Sequence, residues 1–382
     1  MTKPFSDVVN NVSEAMSIRF NNIVYDLKRK GTAVTVLSLG EAFFDIPLLP
    51  MDVLPYPAIY HYTHSRGVYD LRVRIARWYG QAYGVEVDPE SEIIMTAGSK
   101  AAIHFSLLTL LNPGDEVLLQ EPTWVSYPEQ ARLCHARPVL IPYQCSTRDY
   151  ERFITDRTRV IIVNNPHNPR GQVMSLDDLR YIVDLARANG IHVLADEAYS
   201  DFVLDGSFHS LGRVDPSKNN IVICNSISKN FGISGWRLGY AISNPALIGQ
   251  LLKVNQHILT CPASIVQFYV AHYFDEIIGM TMPQIAAVVE KRRQVSAFLD
   301  EIGLRHLPGS ATFYFFVSIG PSKLGSEEFA TRLLLEDHVC VVPCVGYGAS
   351  CDGFVRVSVG TESIEDIRGA LRKMKALIDK TS

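Results

Sequence analysis

Residues Glu92–Gln120 read EIIMTAGSKAAIHFSLLTLLNPGDEVLLQ, and this stretch decides the fold class. Glu92–Ala97 (EIIMTA) is a short apolar run of the kind that forms a buried strand, and Gly98 opens an apolar helix through Leu111. Asn112-Pro113-Gly114-Asp115 is turn chemistry, and Glu116–Gln120 (EVLLQ) is the next strand. The alternation continues outward. Arg159–Asn164 (RVIIVN) predicts another strand. Ser175, with Asp178 in the capping-box position, starts a helix carrying Leu176, Leu179, Ile182, Val183 and Ala186 on one face, and Gly190 ends it. Strands are expected at Ile191–Ala195, Ile221–Cys224 and Tyr240–Ser243. Such alternation implies an α/β fold: a mostly parallel sheet between two layers of helices.

The last hundred residues pattern differently. Met282–Ile302 reads as one long helix ending at Gly303, followed by strands near Phe313–Val317, Val339–Val342 and Phe354–Ser358. Helices are expected near Glu327–Asp337 and Ile364–Lys380, the latter with Ile364, Ile367, Leu371, Met374 and Ile378 in one stripe. This is a smaller α+β unit. The expected division is 1–44, a segment packing with the small domain; 45–282, the large domain; and 283–382, the small domain.

A chain of 382 residues exceeds the length at which one core usually divides. With 47% hydrophobic and 20% charged residues and a net charge of −4, the composition is globular rather than disordered. A pI of 6.3 argues against nucleic acid as a partner. No apolar run is long enough for a membrane helix, and Met1–Asp7 has no signal-peptide core, so a cytoplasmic location is expected. The seven cysteines are odd in number and include no CxxC. Cys340, Cys344 and Cys351 crowd together, but no histidine pair follows, so free thiols and no metal site are expected.

In open α/β sheets ligands bind beyond the carboxyl ends of the strands. Those ends carry Gly98-Ser99-Lys100, Glu121-Pro122-Thr123-Trp124, Asn165–Gly171 (NPHNPRG), Asp196-Glu197-Ala198-Tyr199 and Ser226-Ile227-Ser228-Lys229, with Arg237 eight residues on. Singly, each has an ordinary reading. Lys229 is a solvated charge, Asp196 a helix cap, Trp124 and Tyr199 core or rim aromatics, Gly98 a turn residue, and Ser226 and Arg237 a cap and a surface cation. Gly232-Ile233-Ser234-Gly235 has its second glycine one residue too early for a nucleophile elbow, and no GxGxxG follows the first strand. Together they suit one kind of cofactor, bearing an aldehyde, a protonated pyridine nitrogen, a phenolic oxygen and a phosphate. The lysine answers the aldehyde, the carboxylate the ring nitrogen, and the helix start, serine and arginine the phosphate, while Trp124 can stack on the ring.

Ser226–Tyr240, SISKNFGISGWRLGY, completes a resemblance that runs from Leu39-Gly40-Glu41 to Phe354–Ser358. The sequence resembles the aspartate-aminotransferase-like, class I/II aminotransferases of pyridoxal-phosphate fold type I. The resemblance implies pyridoxal 5'-phosphate as cofactor, held by the large domain, and transfer of an amino group from an α-amino acid to a 2-oxo acid. It implies Lys229 as the Schiff-base lysine and proton shuttle, Asp196 as partner of the ring nitrogen, and Tyr199 and Asn168 as donors to the ring oxygen. Gly98, Ser99, Lys100 (through its backbone), Ser226 and Arg237 fall on the phosphate site. Arg356 matches the arginine that takes the substrate carboxylate, with Gly40 beside it and Asn168 near. Tyr62 matches a tyrosine reaching the neighbouring subunit's phosphate, which implies a homodimer.

Departures from the family pattern concern the substrate. Gly40-Glu41 runs into Ala42-Phe43-Phe44, Asn168-Pro169-Arg170-Gly171 adds a cation, and Val357-Ser358-Val359-Gly360 follows Arg356. Acidic amino acids are the first donors to test, with Lys100, Arg66 and Arg170 as candidate partners of a distal carboxylate. Another pyridoxal-phosphate reaction (β-elimination, decarboxylation, cyclisation or oxidation) is the alternative, separable by its independence of an oxo-acid acceptor.

Overall fold

In a computed structural model, which describes residues 5–203 and 205–382, the apolar runs become strands. In chain order the first are β1 (Thr35–Val36), β2 (Ile93–Thr96), β3 (Glu116–Gln120), β4 (Arg137–Ile141), β5 (Thr158–Asn164) and β6 (His192–Asp196). Then follow β7 (Ile221–Ser226), β8 (Gly239–Ile242), β9 (Tyr314–Ser318), β10 (Val339–Cys340), β11 (Val342–Pro343) and β12 (Phe354–Ser358).

Seven of them form the large sheet, in the order β2-β8-β7-β6-β5-β3-β4. Only β8 runs against its neighbours. Alternate residues of each strand enter different cores. Ile93, Met95, Ile161, Val193 and Ile223 lie in one cluster, and Ile94, Val160, Ile162, Leu194 and Val222 in another. Burial on both faces explains why these strands read as continuous apolar runs. Strand β4 gave no comparable signal, because Ile141 is the one fully buried residue of its five and it contains Pro138. An edge strand tolerates a proline that a central one would not.

The Ser175 cap forms as expected: its Oγ accepts from the Asp178 N–H at 3.1 Å. The long helix does not begin at Met282. It runs Ser264–Glu301 with a kink at Tyr273 (φ −100°, ψ 17°), passing through Pro283. Ile277, Ile278, Ile285 and Val288 are buried on either side of that proline, so packing outweighs the missing N–H. The expected boundary at 282/283 therefore falls inside a continuous helix.

The C-terminal sheet has the order β11-β12-β9, and β1 pairs in parallel with β10. The expected strand Val339–Val342 is split at Val341, its halves serving different partners. Phe20, Val24, Val36 and Leu37 share one core with Phe315, Leu333, Val355, Leu371 and Met374, so the start of the chain is built into the C-terminal unit. Among the described residues no helix is long and apolar enough to cross a membrane, and no group of three metal-ligating side chains occurs.

Candidate active site

The carboxyl ends of β2, β5, β6 and β7 converge with β12 and the first forty residues on a cleft of about 390 Å³. Its walls include Gly40, Ser99, Lys100, Trp124, Asn168, Asp196, Tyr199, Lys229 and Arg356. Residues more than three hundred positions apart thus meet in one place.

Gly98 caps the helix Ser99–Leu110 at φ +85° and offers no side chain to its first turn, leaving that helix start available to an anion. A Cβ on Gly98 would meet the Arg237 guanidinium at 2.7 Å, and one on Gly239 would meet the Gly98 and Ser99 backbone at 2.5 and 2.6 Å. The absence of both side chains lets β2 and β8 hold the helix start against Arg237. Ser226 ends β7 and accepts from the Ser228 N–H at 3.3 Å, starting the one-turn helix Ile227–Asn230 that carries Lys229.

Lys229 Nζ donates to the Gly40 carbonyl and lies 5.6 Å from the Tyr199 ring centre. Burial pulls its ammonium down to about 8, Arg356 and Arg237 acting in the same direction while Glu41 and Asp196 oppose it. Asp196 accepts from the Tyr127 hydroxyl at 2.6 Å and from the Ala198 N–H at 3.2 Å. Burial nevertheless raises its proton affinity, against these bonds and the Lys229 charge. Asn164 braces the same strand end, donating to the Asp196 carbonyl at 3.1 Å and accepting from the Asn168 N–H at 2.6 Å.

Arg356 is 3% exposed, and its partners among the described residues are the Ser38 carbonyl at 2.6 Å and Asn168 Oδ1 at 3.5 Å. Its Nε has no partner, and its guanidinium lies 4.6 Å from the Tyr314 ring centre. A buried guanidinium without a carboxylate leaves charge and donors for an anionic ligand. With a buried amine, a buried carboxylate and an uncapped helix start in the same cleft, the donor set fits an aldehyde-bearing pyridine phosphate and a substrate carboxylate.

Four expected residues, Gly98, Ser226, Arg237 and Tyr62, do not line the cleft. Ser226 and Arg237 lie just behind the helix start, whereas Tyr62 is 85% exposed and lines a separate surface hollow with His61, His64 and Tyr69. Of the candidate cations for a distal carboxylate, Lys100 lines the cleft, its Nζ 5.0 Å from the Trp124 ring centre. Arg66 donates to the Glu90 and Ser91 carbonyls at 3.3 and 3.0 Å, and Arg170 is half-buried off the cleft wall.

Sequence reading missed Tyr127, Tyr314 and the helix Met16–Arg29, which presents Ser17, Ile18, Asn21 and Tyr25 to the cleft. Tyr127 follows Trp124 by three residues, a helical spacing that could have found it. Tyr314 had no local signal: it lies in an apolar strand, and only the fold brings its hydroxyl to Tyr199.

A sequence model of the family described as Aminotransferase class I and II matches residues 56–374. The chain is 31% identical to the putative aminotransferase YugH of Bacillus subtilis, over 100% of each. It is 29% identical to aromatic-amino-acid aminotransferase 2 of Thermococcus litoralis, over 93% of this chain and 94% of that one. Its fold superposes on the aspartate aminotransferase from Thermus thermophilus with maleate at a TM-score of 0.88 and 28% identity, covering 98% of this chain and 100% of that one.

Proposed function

Because the chain belongs to the class I and II aminotransferases, pyridoxal-phosphate-dependent transferases of fold type I, we propose a residue-by-residue assignment of its site. The enzyme moves an amino group from an α-amino acid to a 2-oxo acid. When bound, pyridoxal 5'-phosphate supplies an aldehyde that takes up the donor nitrogen and a ring that withdraws electrons.

In this assignment the Ser99 and Lys100 N–H groups, the Ser226 hydroxyl and the Arg237 guanidinium hold the phosphate beside Gly98. Trp124 stacks on the ring, Asp196 keeps a proton on its nitrogen, and Tyr199 and Asn168 donate to its oxygen. Tyr127 fixes the Asp196 carboxylate from below. Arg356 takes the donor carboxylate with its free Nε and an Nη, while Gly40 leaves space because it has no side chain. Lys229 anchors the aldehyde at rest. Once a donor has released it, its Nζ takes the α-proton; burial lowers the amine's proton affinity toward the working pH, which suits a base.

The observation that carries this reading is Lys229, an amine near 8, in one cleft with Asp196, Tyr199 and an Arg356 that has no carboxylate partner among the described residues. Borohydride reduction of the loaded protein should fix the cofactor on Lys229, and Lys229→Ala should bind it non-covalently while losing turnover by orders of magnitude. Labelling at another lysine would sink the assignment.

The finer readings belong to the same proposal. The donor is an α-amino acid, and acidic side chains are the first to test because Lys100 is the candidate cation that reaches the cleft; relatives are named for both aspartate and aromatic amino acids. The protein works in the cytoplasm as a homodimer of chains divided at 44/45 and 282/283, and Tyr62 serves the second copy's phosphate. Its exposure beyond its own chain's cleft supports that role. Mixing Tyr62→Phe and Lys229→Ala subunits should give dimers with one intact site, more active than either parent. A fully active monomer would overturn it.

A further inference from the structure

Lys229 sits on a single turn of helix, Ile227–Asn230, and so short a helix has little stability of its own. Its backbone is tied by Ile227 N–H to the Leu238 carbonyl at 3.2 Å and by Gly232 N–H to the Lys229 carbonyl at 3.3 Å. The next side chain, Asn230, is buried and does not face the cleft. Its Nδ2 donates at 2.8 Å to Asp201 Oδ2.

Asp201 lies on the turn after β6, five residues beyond Asp196 and two beyond Tyr199, and is 7% exposed. Its other oxygen accepts from the Tyr83 hydroxyl. That hydroxyl is also 2.8 Å from Ser200 Oγ, which accepts from Asn225 Nδ2 at 3.3 Å, and Asn225 reaches the Tyr79 hydroxyl at 3.0 Å. Among the described residues Asp201 has no cation within ion-pair distance, so a carboxyl group is buried here among neutral donors alone. Burial raises its proton affinity, partly offset by the Tyr83 and Asn230 bonds. A buried carboxyl is costly unless its bonds do something that an apolar pair would not. What these bonds do is join the turn bearing Asp196 and Tyr199 to the turn bearing Lys229.

We infer that Asp201 is a positioning residue, which through Asn230 fixes the Lys229 turn against the turn that carries Asp196 and Tyr199. This rests on Lys229 being the residue that anchors the cofactor. It adds a group that touches neither cofactor nor substrate.

The test uses cofactor-free protein. Lys229 captures added pyridoxal phosphate by condensation, its nitrogen bonding the aldehyde carbon while the aldehyde oxygen leaves as water. The rate is read from the change in visible absorption, and the site by peptide mapping after borohydride reduction. Affinity for deoxypyridoxine phosphate, which has no aldehyde, is measured in parallel. Asp201→Ala should slow capture about tenfold, the scale of one hydrogen bond to a charged group, with analogue affinity unchanged. Asn230→Ala should slow it similarly, and the double variant should be no slower than either single one. Asp201→Asn, which can still accept from Asn230, should recover most of the rate, and it keeps the test available if Asp201→Ala fails to fold.

Capture at the wild-type rate in folded Asp201→Ala or Asn230→Ala would overturn the positioning role, as would losses that multiply in the double variant. Equal losses of analogue affinity would overturn it too, by showing a general loosening of the site. Wild-type capture mapping to another lysine would instead remove the Lys229 reading on which the inference rests.

Discussion

The phenolic oxygens of Tyr199 and Tyr314 stand 2.7 Å apart, joining the turn after β6 to a strand of the C-terminal sheet at the floor of the cleft. Both hydroxyls are buried, and burial raises the proton affinity of both, that of Tyr199 well above a free phenol's. The Tyr314 ring also underlies Arg356. Tyr314→Phe keeps that ring and deletes the hydrogen bond alone. It should cost about 1 kcal/mol of stability, a neutral hydrogen bond's worth, and shift the visible absorption of the bound cofactor because Tyr199 is reoriented. An unchanged spectrum together with unchanged turnover would mean the pair is only structural.

Tyr127 should matter through Asp196. Its hydroxyl is a direct donor to that carboxylate, so Tyr127→Phe leaves Asp196 buried with one bond fewer and a higher proton affinity. A roughly tenfold fall in turnover is expected, the scale of one hydrogen bond to a charged group. Asp196→Ala should be much worse than Asp196→Glu, since the charge is what matters to the ring. Equal activities for the two Asp196 variants would reduce that residue to a cap.

The buried amine of Lys229 gives a stability signature with a definite sign. Its folded value of about 8 lies below the ordinary 10.5, so between these the unfolded chain binds a proton that the folded chain does not. Stability of the cofactor-free protein should therefore rise with pH across that window, and the full cost of burying the charge is present below it. Lys229→Met should be the more stable protein near about pH 7, with the difference shrinking toward about pH 10. Denaturant midpoints at the two pH values measure this, and a constant difference would contradict it.

Arg356→Lys should raise KM for every donor alike, roughly tenfold or more, with a smaller change in kcat, because a lysine cannot present two parallel donors to a carboxylate. Lys100→Ala should instead discriminate. It should weaken aspartate and glutamate relative to their neutral isosteres and leave neutral donors nearly unaffected. If the wild type shows no preference for acids, or the variant keeps it, Lys100 does not read the donor side chain.

Much of this was written locally. A strand buried on both faces must be apolar throughout, so β2, β3, β5, β6 and β7 announced themselves, and their ends marked where Lys229, Asp196, Trp124 and Asn168 would gather. Gly98 is favoured by its φ of +85°, and Gly239 is required by backbone contacts closer than any Cβ permits. The edge strand β4, the extension of the long helix back to Ser264 and the division of Val339–Pro343 between two sheets were not legible. Each depends on which neighbour a segment meets, not on its own pattern.

The sequence by itself therefore determined the α/β class and most of the buried strands, because short-range periodicity carries that information within a few positions, and it put at their ends the residues on which the proposed site draws. Only the tertiary structure decided that Tyr127 would bind Asp196, that Tyr314 would meet Tyr199, that Asp201 would reach Asn230, and that Lys100 would line the cleft while Arg66 and Arg170 would not. The physical reason is that a hydrogen bond or a buried charge is set by distances of a few ångströms between segments remote along the chain, and these distances exist only once the cores on both faces of the sheet have packed.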